Sequence, residues 1–408
     1  TASDNFRTTI DTFGSDFDAG RGNAVFYYEW AVQDTNKLTD EDYTIGAFRQ
    51  SSLPEGEVTF GANLPSQAAY NQVFQGYGIA PGTVRQGSRV SFNSDNTLYS
   101  NGLGVFNRKP YTDRSVSLGE YVVGSTALLY DTRAFRTLRA ETSRQNLFTR
   151  ADYKFTDSTS GHFQFLFARL TGANYLNPTP ASGTFGYTIP VSNPFLPADL
   201  RTLLAARPNP AADFTFGKST DELGARCSTC STQYTYQAVA GLDGKLPVKD
   251  WSWAGSVVYG RVDNTDVSTN YFSLQALSRL LYASDGGKSL CEGGYNPFGY
   301  TRLSQACRTF IQRNPKNTQV SEQYIAEASV QGGLIDLPAG ELRFAAGADF
   351  RRDVVSSDVD SAVQAGDIPF ISGVSSRGSD SVKEVFGELA VPVLKDLPDI
   401  AIRQRHVP

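Results

Sequence analysis

Apolar residues recur at every second position in a series of separated stretches. In AVFYYEWAV, Ala24, Phe26, Tyr28, Trp30 and Val32 share one face. In NLFTRADYKF, Leu147, Thr149, Ala151, Tyr153 and Phe155 oppose Arg150, Asp152 and Lys154. Phe163, Phe165 and Phe167 line up in HFQFLFARL, and Trp251, Trp253, Val257 and Tyr259 in WSWAGSVVYG. In ELRFAAGADFRR, Leu342, Phe344, Ala346, Ala348 and Phe350 oppose Arg343, Asp349 and Arg351. In EVFGELAV, Val385, Leu389 and Val391 oppose Glu384 and Glu388. This is the strand period. Each stretch runs about 10 residues, the length a tilted strand needs to cross a bilayer.

The connections alternate as regularly as the faces. Strands at 146–155 and 162–170 are joined by TDSTSG, those at 233–245 and 251–262 by LPVKD, and those at 320–334 and 341–352 by DLPAG. A further strand at 383–394 runs into KDLPD. Long segments, 34–140, 171–232, 263–319 and 353–382, separate these hairpins. A compact soluble domain rarely holds several such loops. An outer-membrane barrel holds them systematically, with short periplasmic turns and long extracellular loops. The pattern predicts an all-β fold, an antiparallel transmembrane β-barrel that is partial, with about nine strands visible. A soluble sandwich or propeller would space its strands and turns more evenly. Three loop stretches read as short helices: 64–78, ended by Gly76; 193–208, with Leu200, Leu203 and Leu204 on one face; and 272–284.

Composition sharpens the picture in three places. The net charge of −5 disfavours nucleic acid, which needs a basic face to neutralise phosphates. No run of 18 apolar residues occurs, so no transmembrane helix is predicted; barrel strands escape that criterion because their faces alternate. The 408 residues contain no Met, which points to a processed chain or a fragment. No signal peptide is visible at TASDNFRTTIDTFG.

Several segments together are similar to TonB-dependent outer-membrane receptors, in the large-loop branch common in proteobacteria. They are GRGNAVFYYEW, NLFTRADYKFTD before a Phe-rich strand, NPFLPADLRTLL, YNPFG followed by LSQAC, and EVFGELAVPVLKDLP. The resemblance implies a 22-stranded barrel that actively imports a bulky, scarce ligand such as a siderophore or oligosaccharide. It implies energy from the TonB–ExbB–ExbD complex, outer-membrane lipid around the wall, and a monomer. On this reading residues 1–396 are a partial barrel domain, 397–408 an aperiodic tail, and the plug domain is absent. No cofactor is expected and no enzyme activity. A passive porin or surface-binding barrel is the alternative, and a soluble β-rich enzyme acting on polymers is a weaker one, because no carboxylate pair or triad stands out.

Few residues carry candidate chemistry. The two histidines, His162 and His406, lie far apart and do not suggest a zinc site or a catalytic triad. Cys227-Ser-Thr-Cys230 has C-x-x-C spacing, and Cys291 and Cys307 bracket a Gly/Asn/Pro turn. Zinc and redox readings of these four are possible by type. In loops that face the cell exterior, two structural disulfides, 227–230 and 291–307, are the expectation. The charges Arg150, Asp152, Lys154, Glu327, Arg343, Asp349, Arg351, Glu384 and Glu388 are expected on the lumen face. Trp30, Trp251, Trp253 and Tyr259 are expected in interfacial girdles. The loop aromatics Tyr295, Phe298 and Tyr300 are the candidates for stacking on a ligand.

Overall fold

A computed structural model describes residues 6–46, 49–50, 53–109, 111, 120–123, 127–182, 187–300 and 302–394. Nine strands form one antiparallel sheet: β1 (Phe6–Phe17), β2 (Gly22–Gln33), β3 (Glu141–Thr156), β4 (Thr159–Leu176), β5 (Arg226–Lys245), β6 (Ser252–Thr269), β7 (Lys316–Leu337), β8 (Gly340–Asp358) and β9 (Ser376–Ala390). Each pairs with the next in sequence, so the order along the sheet is the order along the chain. The sheet is open, with β1 and β9 as its edges. The four tight connections fall at one end of the strands, and the segments 34–140, 177–225, 270–315 and 359–375 at the other.

The two faces differ as the alternation predicts. One apolar row crosses seven strands in register: Ala24, Ala151, Phe163, Ala240, Val257, Ala326 and Phe350. Two positions nearer the loop end, Phe13, Phe26, Thr149, Phe165, Ala238, Tyr259 and Tyr324 form the next row. These side chains have no core to enter; Phe163 is 47% and Val257 55% exposed. The opposite face carries Asp152, His162, Gly241, Ser256, Glu327, Asp349 and Glu384 in one row. Charges there pair locally: Arg150 clasps Asp152 at 2.8 Å, and Arg343 meets Asp250 at 2.6 Å and Glu341 at 2.7 Å.

The structure departs from the sequence reading in three respects. The strands are longer, up to 22 residues in β7. Their extra length is polar on both faces, as in CSTCSTQ and DNTDVST, so it has no period to read; the backbone ladder alone continues it. Strand β1 was not anticipated, because Thr, Asp, Gly and Ser occupy at least half of each face. Trp251 is not on a strand: it stands in the turn before β6, donating its indole N–H to the Gly333 carbonyl at 2.8 Å and packing edge-on against Phe344. The tail 397–408, with His406, lies outside the described residues.

The long segments fold onto one another. Helices α1 (Gln67–Gln75), α2 (Ala198–Ala205), α3 (Leu274–Tyr282) and α4 (Gln305–Ile311) form where apolar residues recur at helical spacing. Ser66, Ser273 and Ser304 cap three of them by accepting a backbone N–H. A short α5 (Ser361–Gln364) lies in the last segment. A small six-stranded sheet, including Glu57–Thr59, Arg89–Phe92 and Phe214–Ser219, draws on two of the segments. Tyr70, Phe74, Leu200, Leu203, Phe216, Leu277 and Leu280 fill a shared core. This is the largest buried core among the described residues, and it belongs to the loops rather than to the sheet.

Two disulfides are present. Cys227 joins Cys230 with 5.9 Å between Cα atoms, and Cys291 joins Cys307 with 5.0 Å. The second ties α4 to the turn Glu292-Gly293-Gly294. Gly294 has φ of 69°, and a Cβ there would stand 2.3 Å from the Gly286 carbonyl oxygen, so the turn needs glycine. Opening this ring by Cys291→Ser with Cys307→Ser should destabilise the loop core by about 3 kcal/mol. Limited proteolysis should then cut within 270–315 first, while the β-sheet circular-dichroism signal is retained. Unchanged protease resistance would show the ring to be dispensable.

Candidate functional site

A cavity of about 520 Å³ lies where the loop core meets the sheet. Several chain segments converge on it: Thr35 and Lys37 just beyond β2, Ala134–Thr137 just before β3, Tyr175 near the end of β4, Asp221–Ala225 just before β5, and Arg308 on α4. Phe135 and Tyr175 give it apolar walls. Lys37, Arg136 and Arg308 bring positive charge, and Asp221 and Glu222 bring carboxylates.

The two adjacent carboxylates have different surroundings. Asp221 is buried and accepts hydrogen bonds from the Tyr130 hydroxyl and, at 2.6 Å, from the Ser219 hydroxyl. Glu222 is only 6% exposed, and its Oε1 has no hydrogen-bond partner. Burial pushes the Glu222 carboxyl above its ordinary range, with the charges of Lys218 and Arg308 pulling the other way. Lys218 is itself fully buried and donates to the carbonyls of Pro297 and Gly299 at 3.3 and 3.1 Å. Arg136 donates to Asn177 at 3.0 Å. Burial lowers its pKa and the nearby positive charge of Arg226 lowers it further. Arg226, the first residue of β5, stands beneath the rings of Tyr271 and Phe370, with its Nε and one terminal nitrogen buried and unpartnered.

The sequence candidates fall elsewhere. Tyr295 and Phe298 are 1% and 3% exposed, packed in the loop core, so neither ring offers a face to a ligand. Their segment is held from below by Lys218. The Tyr300 hydroxyl bonds that of Tyr121 at 2.7 Å, and Tyr121 donates to buried Glu55. Tyr295 and Phe298 therefore pack within the loops, and half-buried Tyr300 braces them through Tyr121. Nothing in the sequence singled out Glu222; the cue available was two acids in TDEL between Lys218 and Arg226. Cys227–Cys230 interrupts the register between β5 and β6 just after Arg226, which fixes where that strand begins. His162 stands opposite Asp152 on the polar face. Among the described residues no group of three or more His, Cys, Asp or Glu side chains could hold a metal ion, and no helix is long and apolar enough to cross a membrane.

A larger hollow, about 760 Å³, lies over the sheet. Small residues such as Ala151, Ala240 and Ala326 floor it, and Phe163, Trp253 and Phe350 rim it. It belongs to the apolar face and holds little chemistry.

No family model matches this chain, and no curated protein matches it. Among solved structures, the unliganded ferric citrate transporter FecA aligns with 97% of this chain and 38% of its own, at 8% identity and a TM-score of 0.31. OccAB1 of Acinetobacter baumannii aligns with 95% of this chain and 91% of its own, at 8% identity and a TM-score of 0.09. The chain thus spans well under half the length of FecA. Neither likeness is close enough to carry function across.

A second acidic centre in the loops makes their stability depend on pH. Glu57 accepts from Asn101 and pairs with Arg89 at 2.7 Å, yet burial lifts its carboxyl from 4.5 to about 7. Burial raises Glu55 in the same direction. A carboxyl that holds its proton more tightly when folded favours the fold below its unfolded pKa, and the advantage is lost as pH rises. Between pH 4.5 and 7 the Glu57 contribution should fall by on the order of 3 kcal/mol. The loop melting midpoint, followed by tyrosine near-ultraviolet circular dichroism, should drop across that window. Glu57→Gln should flatten part of the slope, and an unaltered slope would remove Glu57 as its source.

Proposed function

We propose that this chain forms part of the wall and the extracellular loops of an outer-membrane β-barrel that imports a bulky ligand in a TonB-dependent manner. One observation carries the membrane reading: an unbroken apolar row across seven strands, exposed on one face of a sheet that has no second layer over it. In water such a face would be a liability far larger than monomeric proteins tolerate. In a bilayer it becomes the buried surface, with the Tyr259–Tyr324 pair suited to an interface. The open edges of β1 and β9 point the same way. Unpaired strand edges cannot face hydrocarbon, so further strands must close the wall. The region 1–396 is then one stretch of a larger barrel.

Transport is favoured over an inert pore because the loops are folded. Three segments, 34–140, 177–225 and 270–315, share a core, a disulfide ties the third to itself, and a largely apolar cavity with charged groups at its lining lies over the strand ends. Such a construction suits selective binding before passage, which active import through a TonB–ExbB–ExbD partner requires. A passive porin would let solute pass without such a site.

The full-length protein should fractionate with the outer membrane and show a gel mobility that shifts on heating; recovery in the soluble fraction would end this reading. Val257→Asp, on the apolar row, should destabilise the barrel by up to about 2 kcal/mol at mid-depth, less than an Arg or Lys there, and lower the heat-modifiable fraction. Ser256→Asp, on the opposite face, should be tolerated. Equal tolerance of the two would show that Val257 does not face lipid.

A further inference from the structure

We propose that the apolar face of the wall carries a site for one membrane lipid, with an acyl chain in a furrow along β5 to β7 and an anionic phosphate headgroup at Arg352 and Lys383. The inference rests on the outer-membrane reading and names a partner of the wall within it. Two independent observations carry it. The first is the furrow. The hollow of about 760 Å³ over the sheet adjoins a second of about 360 Å³, and both are lined by Phe163, Ala240, Val257, Ala326 and Phe350. Ala238, Ala240, Gly255, Ala326 and Ala328 keep the floor low, while Phe163 on β4 and Phe350 on β8 stand on either side. The furrow runs from Trp253 to Tyr259 along β6, about 20 Å at the rise of an extended strand. On a strand tilted by about 45° that is roughly 14 Å of depth, close to half of a hydrocarbon core about 30 Å thick. Half the core is what the acyl chain of one leaflet spans.

The second observation is charge at the loop-side end of this furrow. Arg352 follows Phe350 by two residues on the same face of β8, and Lys383 on β9 stands opposite Phe350. Both side chains are exposed, and neither makes an ion pair or a hydrogen bond among the described residues. The neighbouring acid on this face, Glu322, is already taken by Arg261 at 2.8 Å and by the Tyr259 hydroxyl at 3.1 Å. Arg352 is the register partner of Tyr324, and Tyr324 that of Tyr259, so the guanidinium stands level with the aromatic pair that ends the furrow. Phe350 thus adjoins both cations and both hollows.

Each simpler occupant leaves one feature unused. A free anion would meet the cations and leave the furrow empty. A zwitterionic lipid would fill the furrow and bring its own cation beside Arg352 and Lys383. Uncompensated charge at the edge of hydrocarbon is costly. An anionic lipid uses both features, its phosphate accepting from the Arg352 guanidinium and the Lys383 ammonium.

The test is native mass spectrometry of the delipidated full-length protein in detergent with three probes: phosphatidylglycerol, phosphatidylcholine with the same acyl chains, and glycerol 3-phosphate, which has no chain. One phosphatidylglycerol should be retained at least tenfold more tightly than phosphatidylcholine, and glycerol 3-phosphate in large excess should not displace it. Arg352→Gln with Lys383→Gln should bring phosphatidylglycerol down to the level of phosphatidylcholine. Ala326→Phe, which fills the furrow and stays apolar towards lipid, should weaken both lipids tenfold. Equal retention of the two lipids would reduce the site to the ordinary lipid annulus, and displacement by glycerol 3-phosphate would reduce it to an anion site; either overturns the proposal. The wild-type ranking needs no variant, so misfolding of a mutant does not decide it. A protein that is heat-modifiable in the outer membrane yet shows no preference for phosphatidylglycerol would sink the lipid site alone, whereas a soluble protein would sink the barrel as well.

Discussion

The backbone ladder of the nine-strand wall is the constraint on which everything else depends. No second layer covers this sheet, so side-chain burial does little to hold β5 against β6 or β7 against β8. What holds them is antiparallel pairing over as many as 19 register positions between β7 and β8, broken by a single register shift at Gly333/Ile335. Because every strand pairs with its sequence neighbour, tight turns gather at one end and long segments at the other. The ladder thus decides which residues can meet at the loop end, and the cavity exists because of that sorting.

The loops then solve the problem that the wall leaves open. Segments of this length lose much conformational entropy when ordered. They recover stability by building the apolar core that the sheet lacks: Leu200 and Leu203 of α2 pack with Leu277 and Leu280 of α3 and with Phe216. Backbone hydrogen bonds stitch segments that are remote in sequence, as from Gly299 to the Glu55 carbonyl and from Leu274 to the Asp367 carbonyl. Buried charges serve the same end. Lys218 holds the YNPFG turn by its carbonyls, and Glu55 gathers the hydroxyls of Tyr99 and Tyr121.

Much of the wall was legible in the sequence, because period-two alternation is a direct image of two unlike faces. Strands β2 to β9 were visible as far as their apolar band reaches. The polar extensions and β1 were not, since Thr, Ser, Asn and Gln fit either face equally and leave no period. Three loop helices were readable from Leu spacing and Pro or Gly stops. The cavity was not readable, because its residues come from segments far apart in sequence and meet only through the fold. Tyr295 and Phe298 illustrate the limit from the other side: aromatic residues in a Gly/Pro-rich loop look available, but the shared loop core encloses them.

The arrangement of Glu222 follows from the same logic. Strand β5 must begin where the ladder allows, and the Cys227–Cys230 bridge sets that point by absorbing a register shift. Arg226 is thereby fixed under Tyr271 and Phe370, and the turn Asp221–Leu223 is pressed into the loop core a few residues earlier. Asp221 finds two hydroxyl donors there and is satisfied. Glu222, its neighbour, lines the cavity but keeps Oε1 buried with no hydrogen-bond partner among the described residues. Folded proteins rarely leave a buried acceptor in that condition. The positive charges of Lys218 and Arg308 act on that carboxyl and offset part of the cost of burying it, so the turn holds its acid through charge where it cannot through hydrogen bonds.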